Sequence, residues 1–298
     1  MSTLKPNIQI PVDLTNPGQF FACCGLLELA DRLWPGTVGW FETAELFTIA
    51  SDIGDYFDLP HFCEKVIECK FSFILTPHDR ESLDKLSKRK TELKRLRKAL
   101  PKPQEKERKR LSSLRIASGF TLGPPFDINV DWWLMENCDS DHLKTWAGPQ
   151  AIAEIAEDMK HSLKSVDERE IFSVEGLINR KDGGKSRAPL SLDSGRVGTA
   201  QDIGYSADNV EQPIACALWT EFLALIAIQR FGLKPDTRGS FEFFAWTYPF
   251  PVAVAAMAAR GVFPNTTGCR GRFRLAGRDV DNRFKAFQIE SLSKWRNQ

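Results

Sequence analysis

IQIPVDLTNPGQFFACCGLLELADRLWPG, residues Ile8 to Gly36, decides how the chain begins to fold. Isoleucines at 8 and 10 alternate with Gln9 and Pro11, which predicts a short strand over residues 7–12. Asn16 suits a helix N-cap, because its side-chain oxygen can accept a free amide of the first turn. Pro17 fits the first helical position, where its missing N–H costs nothing. The helix then runs to about Leu33. Phe20, Phe21, Cys24, Leu27 and Ala30 share a face, and Leu26, Leu29 and Leu33 widen it, so this is a core helix. Trp34-Pro35-Gly36 ends it.

Working outward, Gly39 to Ala50 reads as two short strands, with Trp40, Phe41, Leu46, Phe47 and Ile49 as buried candidates. A second helix is predicted over 55–69 and a strand over 70–76. Strand, helix, two strands, helix, strand specifies an α+β class of mixed or antiparallel sheets with packed helices. A ferredoxin-like arrangement is one form of that order. Farther on, 119–125 reads as a turn-rich linker and Phe126–Leu134 as a strand with Trp132 and Trp133 on opposite faces. Helices follow at 150–163 and 210–231. In the second, Ile214, Leu218, Phe222, Leu225 and Ile228 keep helical spacing, and Gly232 falls at C′. A strand at 240–248, an alanine-rich helix at 252–259 and a strand through Arg270–Arg274 complete the chain. The chain thus divides into an N-terminal α+β part (1–79), a basic helical insertion (80–117) and a C-terminal α+β part (118–298).

Composition narrows the function classes. Formal net charge is only +1 over 298 residues, so any affinity for a polyanion must reside in a local patch. The 7 cysteines are scattered and form no CxxC pair, which argues against both a disulfide framework and a zinc ribbon. Cys23 and Cys24 lie in the apolar helix and read as small hydrophobes. No leader-like or membrane-length apolar run occurs, so a cytoplasmic location is expected.

Three local patches stand out. Residues 80–115 hold fifteen cations against Glu81, Asp84, Glu92, Glu105 and Glu107. Leu83, Leu86, Leu93, Leu96 and Leu100 mark an apolar stripe, and Pro101 and Pro103 interrupt it. This predicts a protruding helical hairpin whose Lys94, Arg97 and Arg108 contact phosphates without reading sequence. The second patch is KDGGKSRAPLSLDSGRVGTAQDIGYS, Lys181 to Ser206. Its recurrent glycines let a backbone approach a ligand closely, and Lys181, Lys185, Arg187 and Arg196 lie among them. Leu190, Leu192, Ile203 and Tyr205 could pin it to a core, with Tyr205 and Trp246 as candidates for stacking on bases. The third patch is Arg270, Arg272 and Arg274, one face of a strand at period two, with Cys269 and Phe273 on the other face.

Catalytic signatures are missing from the sequence. The four histidines show no metal spacing, and neither GxSxG nor GxxxxGK[ST] occurs, so no catalytic residue, metal or cofactor is expected. A magnesium nuclease built on Asp193 and Asp202 is the enzymatic alternative. A scaffold whose basic hairpin docks on acidic protein surfaces is the other.

NPGQFFACCGLLELADRLWPG (Asn16–Gly36), LSLDSGRVGTAQDIGYS (Leu190–Ser206) and the FFAWTYPFP run (Phe243–Pro251) together resemble accessory and large-subunit-like proteins of type I-U (I-G) CRISPR systems. The resemblance implies a non-catalytic subunit of an RNA-guided surveillance complex. It also implies guide RNA and target DNA as partners, including the short target-flanking motif. Other effector subunits and a recruited helicase–nuclease would complete the assembly.

Overall fold

The structure, a computed structural model, describes residues 5–51, 57–73, 76–135, 142–146, 150–165, 177–178, 190–193, 214–215, 217–263, 267–277 and 285–295. Strand β1 (Ile8–Pro11) leads to helix α1 (Pro17–Leu33), then to β2 (Val38–Thr43) and β3 (Leu46–Ala50). The Asn16 side chain accepts the Gly18 amide at 3.0 Å, and Pro17 occupies the first turn. β3 lies between β1 and β2, antiparallel to both, which is the order of a split β-α-β unit. Strand β4 (Phe71–Phe73), after helix α2 (Leu59–Glu68), does not return to β1. It pairs with β5 (Phe120–Leu122), which pairs with β6 (Ile128–Val130). The class is α+β as expected, but the ferredoxin-like sheet is begun and not completed. The reason is the insertion. Helices α3 (Pro77–Arg95) and α4 (Lys102–Ile116) leave from β4 and return to β5, so these two strands pair as the base of the hairpin.

The second half builds helix α5 (Ile152–Ser162), a short antiparallel pair of β7 (Leu177–Ile178) with β8 (Ile214–Ala215), and helix α6 (Leu218–Phe231). Strand β9 (Ser240–Trp246), β10 (Phe250–Pro251), helix α7 (Val252–Ala259), β11 (Gly268–Gly277) and β12 (Lys285–Leu292) follow. β10 extends the first sheet along β2, and β11 forms the centre of a sheet ordered β12-β11-β9.

The core lies between these sheets and is dominated by α1 and α6. They run side by side in the same sense, Gly25 against Leu223 and Glu28 against Arg230 farther along. Every α6 residue from Leu218 to Ile228 is buried, as is α1 from Phe20 to Ala30. Phe20 contacts Phe41 of the first sheet and Phe243 of the second. The Trp246 indole donates to the Gly39 carbonyl at 2.7 Å, joining the two sheets by a satisfied buried bond.

Four local expectations change. The 119–125 linker contains β5. The strand expected through Leu134 stops at Val130 and becomes a 3-10 turn, so Trp132 and Trp133 are both buried rather than on opposite faces. Helix α6 diverts the chain there: the Gln229 side chain accepts the Asp131 and Trp132 amides, each at 2.9 Å, and the Trp132 indole donates to the Leu225 carbonyl. The helix expected from 210 begins at Leu218, because Ile214 and Ala215 pair with β7. Gly232 has φ −55° and ψ 141°, so it leaves the helix extended rather than left-handed and delivers Leu233 to the core.

Candidate nucleic-acid interface

The hairpin is held at its base and is open at its tip. Leu83 and Leu111 form a small satellite core with Leu86 and Phe73. The Arg80 guanidinium lies 3.2 Å from the centre of the Phe73 ring, a cation–π contact, and reaches Glu157 of α5. Arg115 forks onto Glu154 of α5 at 2.6 and 2.7 Å. Nearer the middle, Glu105 takes Arg108 at 3.0 Å and Lys90 at 2.8 Å, and Glu107 takes Arg110. Hydrogen bonds from Arg108 and then Lys90 hold the Glu105 carboxyl down at about 2. The same cause, with Lys85 and Arg110 as donors, lowers Glu81 and Glu107.

This pairing sorts the cations. Arg80, Lys85, Lys90, Arg108, Arg110 and Arg115 are engaged with carboxylates. Lys88, Arg89, Lys94, Arg95, Arg97, Lys98, Lys102, Lys106 and Lys109 are exposed and have no ion-pair partner among the described residues. Five of them flank the connection between the helices, where Arg97 adopts a left-handed φ of 55°. Lys94 and Arg97 are therefore presented to solvent as expected, whereas Arg108 is committed to Glu105. Leu96, placed on the apolar stripe by spacing, is 66% exposed. The helix ends at Arg95, so the periodicity no longer governs where Leu96 points.

The arginine strand has the predicted geometry but not the predicted field. Arg270, Arg272 and Arg274 lie on one face of β11, opposite buried Cys269 and Phe273. The neighbouring strands supply acids to the same face. Arg272 pairs with Asp236, with Glu290 at 3.0 Å and with Glu242 at 3.6 Å. Arg270 lies 4.0 Å from Glu242 and Arg274 lies 3.9 Å from Glu290. Three guanidiniums meet three carboxylates, which gives a compensated ladder rather than a line of free positive charge. Nor do the two patches share supports. The hairpin pairs with α5, while the ladder pairs with β12, β9 and the turn preceding β9.

Of the glycine-rich stretch, Lys181, Lys185, Arg187, Arg196 and Tyr205 lie outside the described residues, as does Asp202. Its middle, Leu190–Asp193, is described and buried. The Glu221 carboxylate accepts the Leu192 and Asp193 amides at 3.2 and 3.0 Å. The Asp193 carboxylate accepts from Asn16 Nδ2 at 2.5 Å, and the Thr145 hydroxyl donates to the Leu190 carbonyl. Gly18 is required here, since a Cβ would lie 2.1 Å from the Leu192 carbonyl oxygen. Leu190 and Leu192 do pin the stretch to the core. Asp193, the described member of the nuclease pair, serves as an anchor beneath the α1 N-terminus. Trp246, a stacking candidate, is fully buried in the core.

Among the described residues no group of three or more His, Cys, Asp or Glu side chains could hold a metal ion, and no helix is long and apolar enough to cross a membrane. Spacing accounts for part of this sorting: Glu81–Lys85, Glu105–Arg108 and Glu107–Arg110 stand three or four residues apart, where helical neighbours pair, but it would equally pair Asp84 with Lys88 and Glu105 with Lys109, and it is silent on the long-range partners of Arg80 and Arg115. Comparison of the chain with models of known protein families, with curated proteins and with solved structures found no match.

Proposed function

We propose that this protein is a non-catalytic nucleic-acid-binding subunit and that the tip of the α3–α4 hairpin is its phosphate contact. The observation that carries the reading is the set of exposed cations, Lys94, Arg95, Arg97, Lys98 and Lys102 foremost, with no carboxylate of the described residues engaged to them. Dispersed lysines and arginines without paired acids attract a phosphate backbone irrespective of sequence. The compensated ladder on β11 contributes little to that attraction. With the sequence resemblance, the reading extends to a subunit of an RNA-guided type I CRISPR surveillance complex that contacts guide RNA or target DNA.

The test is fluorescence anisotropy with labelled single-stranded RNA, single-stranded DNA and duplex DNA across a salt series. The triple variant Lys94→Ala, Arg97→Ala, Lys98→Ala leaves in place the Lys90–Glu105 pair between the helices and the Arg110–Glu107 pair within α4. Its log K against log salt slope is expected to fall by about 2 on a single strand or nearly 3 on a duplex. An unchanged affinity and slope in the triple variant overturns the hairpin assignment. Arg272→Ala serves as the comparison and is expected to leave the slope nearly as it is.

A further inference from the structure

A second site lies away from the hairpin, where α1 and α6 end beside β6. A cleft of about 310 Å³ there is lined by Glu28, Arg32, Asp127, Asn129, Gln229 and Arg230, with Ile128 as its apolar wall. That volume is at the lower end for small-molecule sites. Glu28 is 2% exposed, and its carboxylate accepts from Arg32 Nε at 2.9 Å and from Arg230 Nε at 2.5 Å. Arg32 is held further by its Nη1, which donates to the Phe126 and Asp127 carbonyls at 2.9 and 3.1 Å. One buried carboxylate thus fixes two partly exposed guanidiniums at the mouth of the cleft, an arrangement that preorganises them.

What remains open on each lining group decides the ligand class. Arg32 Nη2 and Arg230 Nη1 have no partner among the described residues. Gln229 has its oxygen occupied by the Asp131 and Trp132 amides, so its free end is the NH₂. Asn129 has its oxygen occupied by the Thr121 hydroxyl, so its free end is also the NH₂. Four side chains therefore offer N–H groups, two of them guanidiniums without acceptors and two amides whose oxygens are already occupied, while Asp127 adds an acceptor at the rim. Guanidinium forks and amide donors suit a tetrahedral oxyanion, and an acceptor beside them suits a hydroxyl.

We propose that this cleft binds a phosphomonoester carrying a hydroxylated group, of the size of a sugar phosphate or a mononucleotide. The oxyanion lies between Arg32 and Arg230, with the Asn129 amide donating to it and Asp127 accepting from the sugar hydroxyl. The site is independent of the hairpin, so it stands or falls separately from the nucleic-acid reading.

Isothermal titration of the full chain with inorganic phosphate, ribose 5-phosphate, adenosine monophosphate, adenosine and succinate tests it. Saturable binding of ribose 5-phosphate or the monophosphate is expected, with adenosine silent and succinate at least tenfold weaker. Asn129→Asp keeps the acceptor for Thr121 and replaces the free amide by a negative charge, so it should weaken phosphate binding at least tenfold. Arg230→Lys retains a cation for Glu28 and removes the fork, and should also weaken binding. The triple hairpin variant should bind as the parent does. The proposal is overturned by absence of saturable binding up to about 10 mM, tenfold above the roughly 1 mM dissociation constant of a weak site. Tighter binding of succinate than of the phosphates, or unaltered binding in a folded Asn129→Asp variant, overturns it as well.

Discussion

Replacing Gly25 by alanine puts two opposed effects on one residue. Helix propensity favours alanine by about 1 kcal/mol, so on local grounds Gly25→Ala stabilises α1. The structure predicts the opposite sign. A Cβ at Gly25 would lie 2.1 Å from the Leu223 carbonyl oxygen and 2.8 Å from its carbon, where real Cβ contacts are not found below 3.0 Å. Both obstructing atoms are backbone inside a buried helix, so no rotamer change can relieve them. The helices must separate by roughly 1 Å, and a gap of that size forfeits about a quarter to a half of the attraction at each facing contact. Overpacking of this kind costs about 1–3 kcal/mol and sometimes more. With backbone on both sides the upper end applies, leaving a net loss of about 2 kcal/mol after the propensity gain. With about 2.1 cal/mol/K of unfolding entropy per residue over 298 residues, that lowers Tm by roughly 3 °C. Thermal melts by circular dichroism, together with urea titration, measure it. A Gly25→Ala protein as stable as the parent, or more so, would refute the close backbone approach of α1 and α6.

Asn16 makes two demands on one side chain, and substitutions separate them. Asn16→Ala loses the cap, worth about 1 kcal/mol, and removes a buried donor from Asp193, about 1–3 kcal/mol more. Asn16→Asp retains an equally good cap but sets a second carboxylate against Asp193, so it should be the less stable of the two in urea; the reverse ranking contradicts the anchor geometry. Acid should spare the hairpin down to unusually low pH. Glu81, Glu105 and Glu107 are depressed in the folded state, so their contribution is complete above the ordinary carboxylate range and is lost as pH falls through the folded values, about 2 for Glu105. Hydrogen exchange over residues 77–116 should therefore retain protection at pH 4 and lose it toward pH 2. Full loss already at pH 4 is the contrary outcome.

The elements written in strong local chemistry were legible. Asn16-Pro17 starts α1 where a cap and a first-turn proline require it, and α7 spans Val252–Ala259 as its composition predicts. Elements shaped by distant partners were not. β5 is three residues long and exists because β4 and β6 flank it, while the Trp132 turn follows from Gln229, nearly a hundred residues away. Of the candidate site, period two correctly put Arg270, Arg272 and Arg274 on one face, yet spacing within a strand carries no information about acids on its neighbours. Glu28 held the opposite lesson. A carboxylate within the apolar run of α1 signals a buried pair, but its partner Arg230 is fixed only by how α1 and α6 lie together.

Burial of Leu190–Asp193 gives the chain between β7 and β8 a fixed midpoint. Leu177 and Ile178 pair with Ala215 and Ile214, so the connection starts and finishes at one place, with Leu190–Asp193 fixed in the core between. That fixed point divides the intervening sequence into residues 179–189 and 194–213. Fully extended, the shorter span covers at most about 40 Å of contour. Lys181, Lys185 and Arg187 precede that fixed point in the sequence and Arg196 and Tyr205 follow it, so a single glycine-rich phrase is divided in two by a buried anchor.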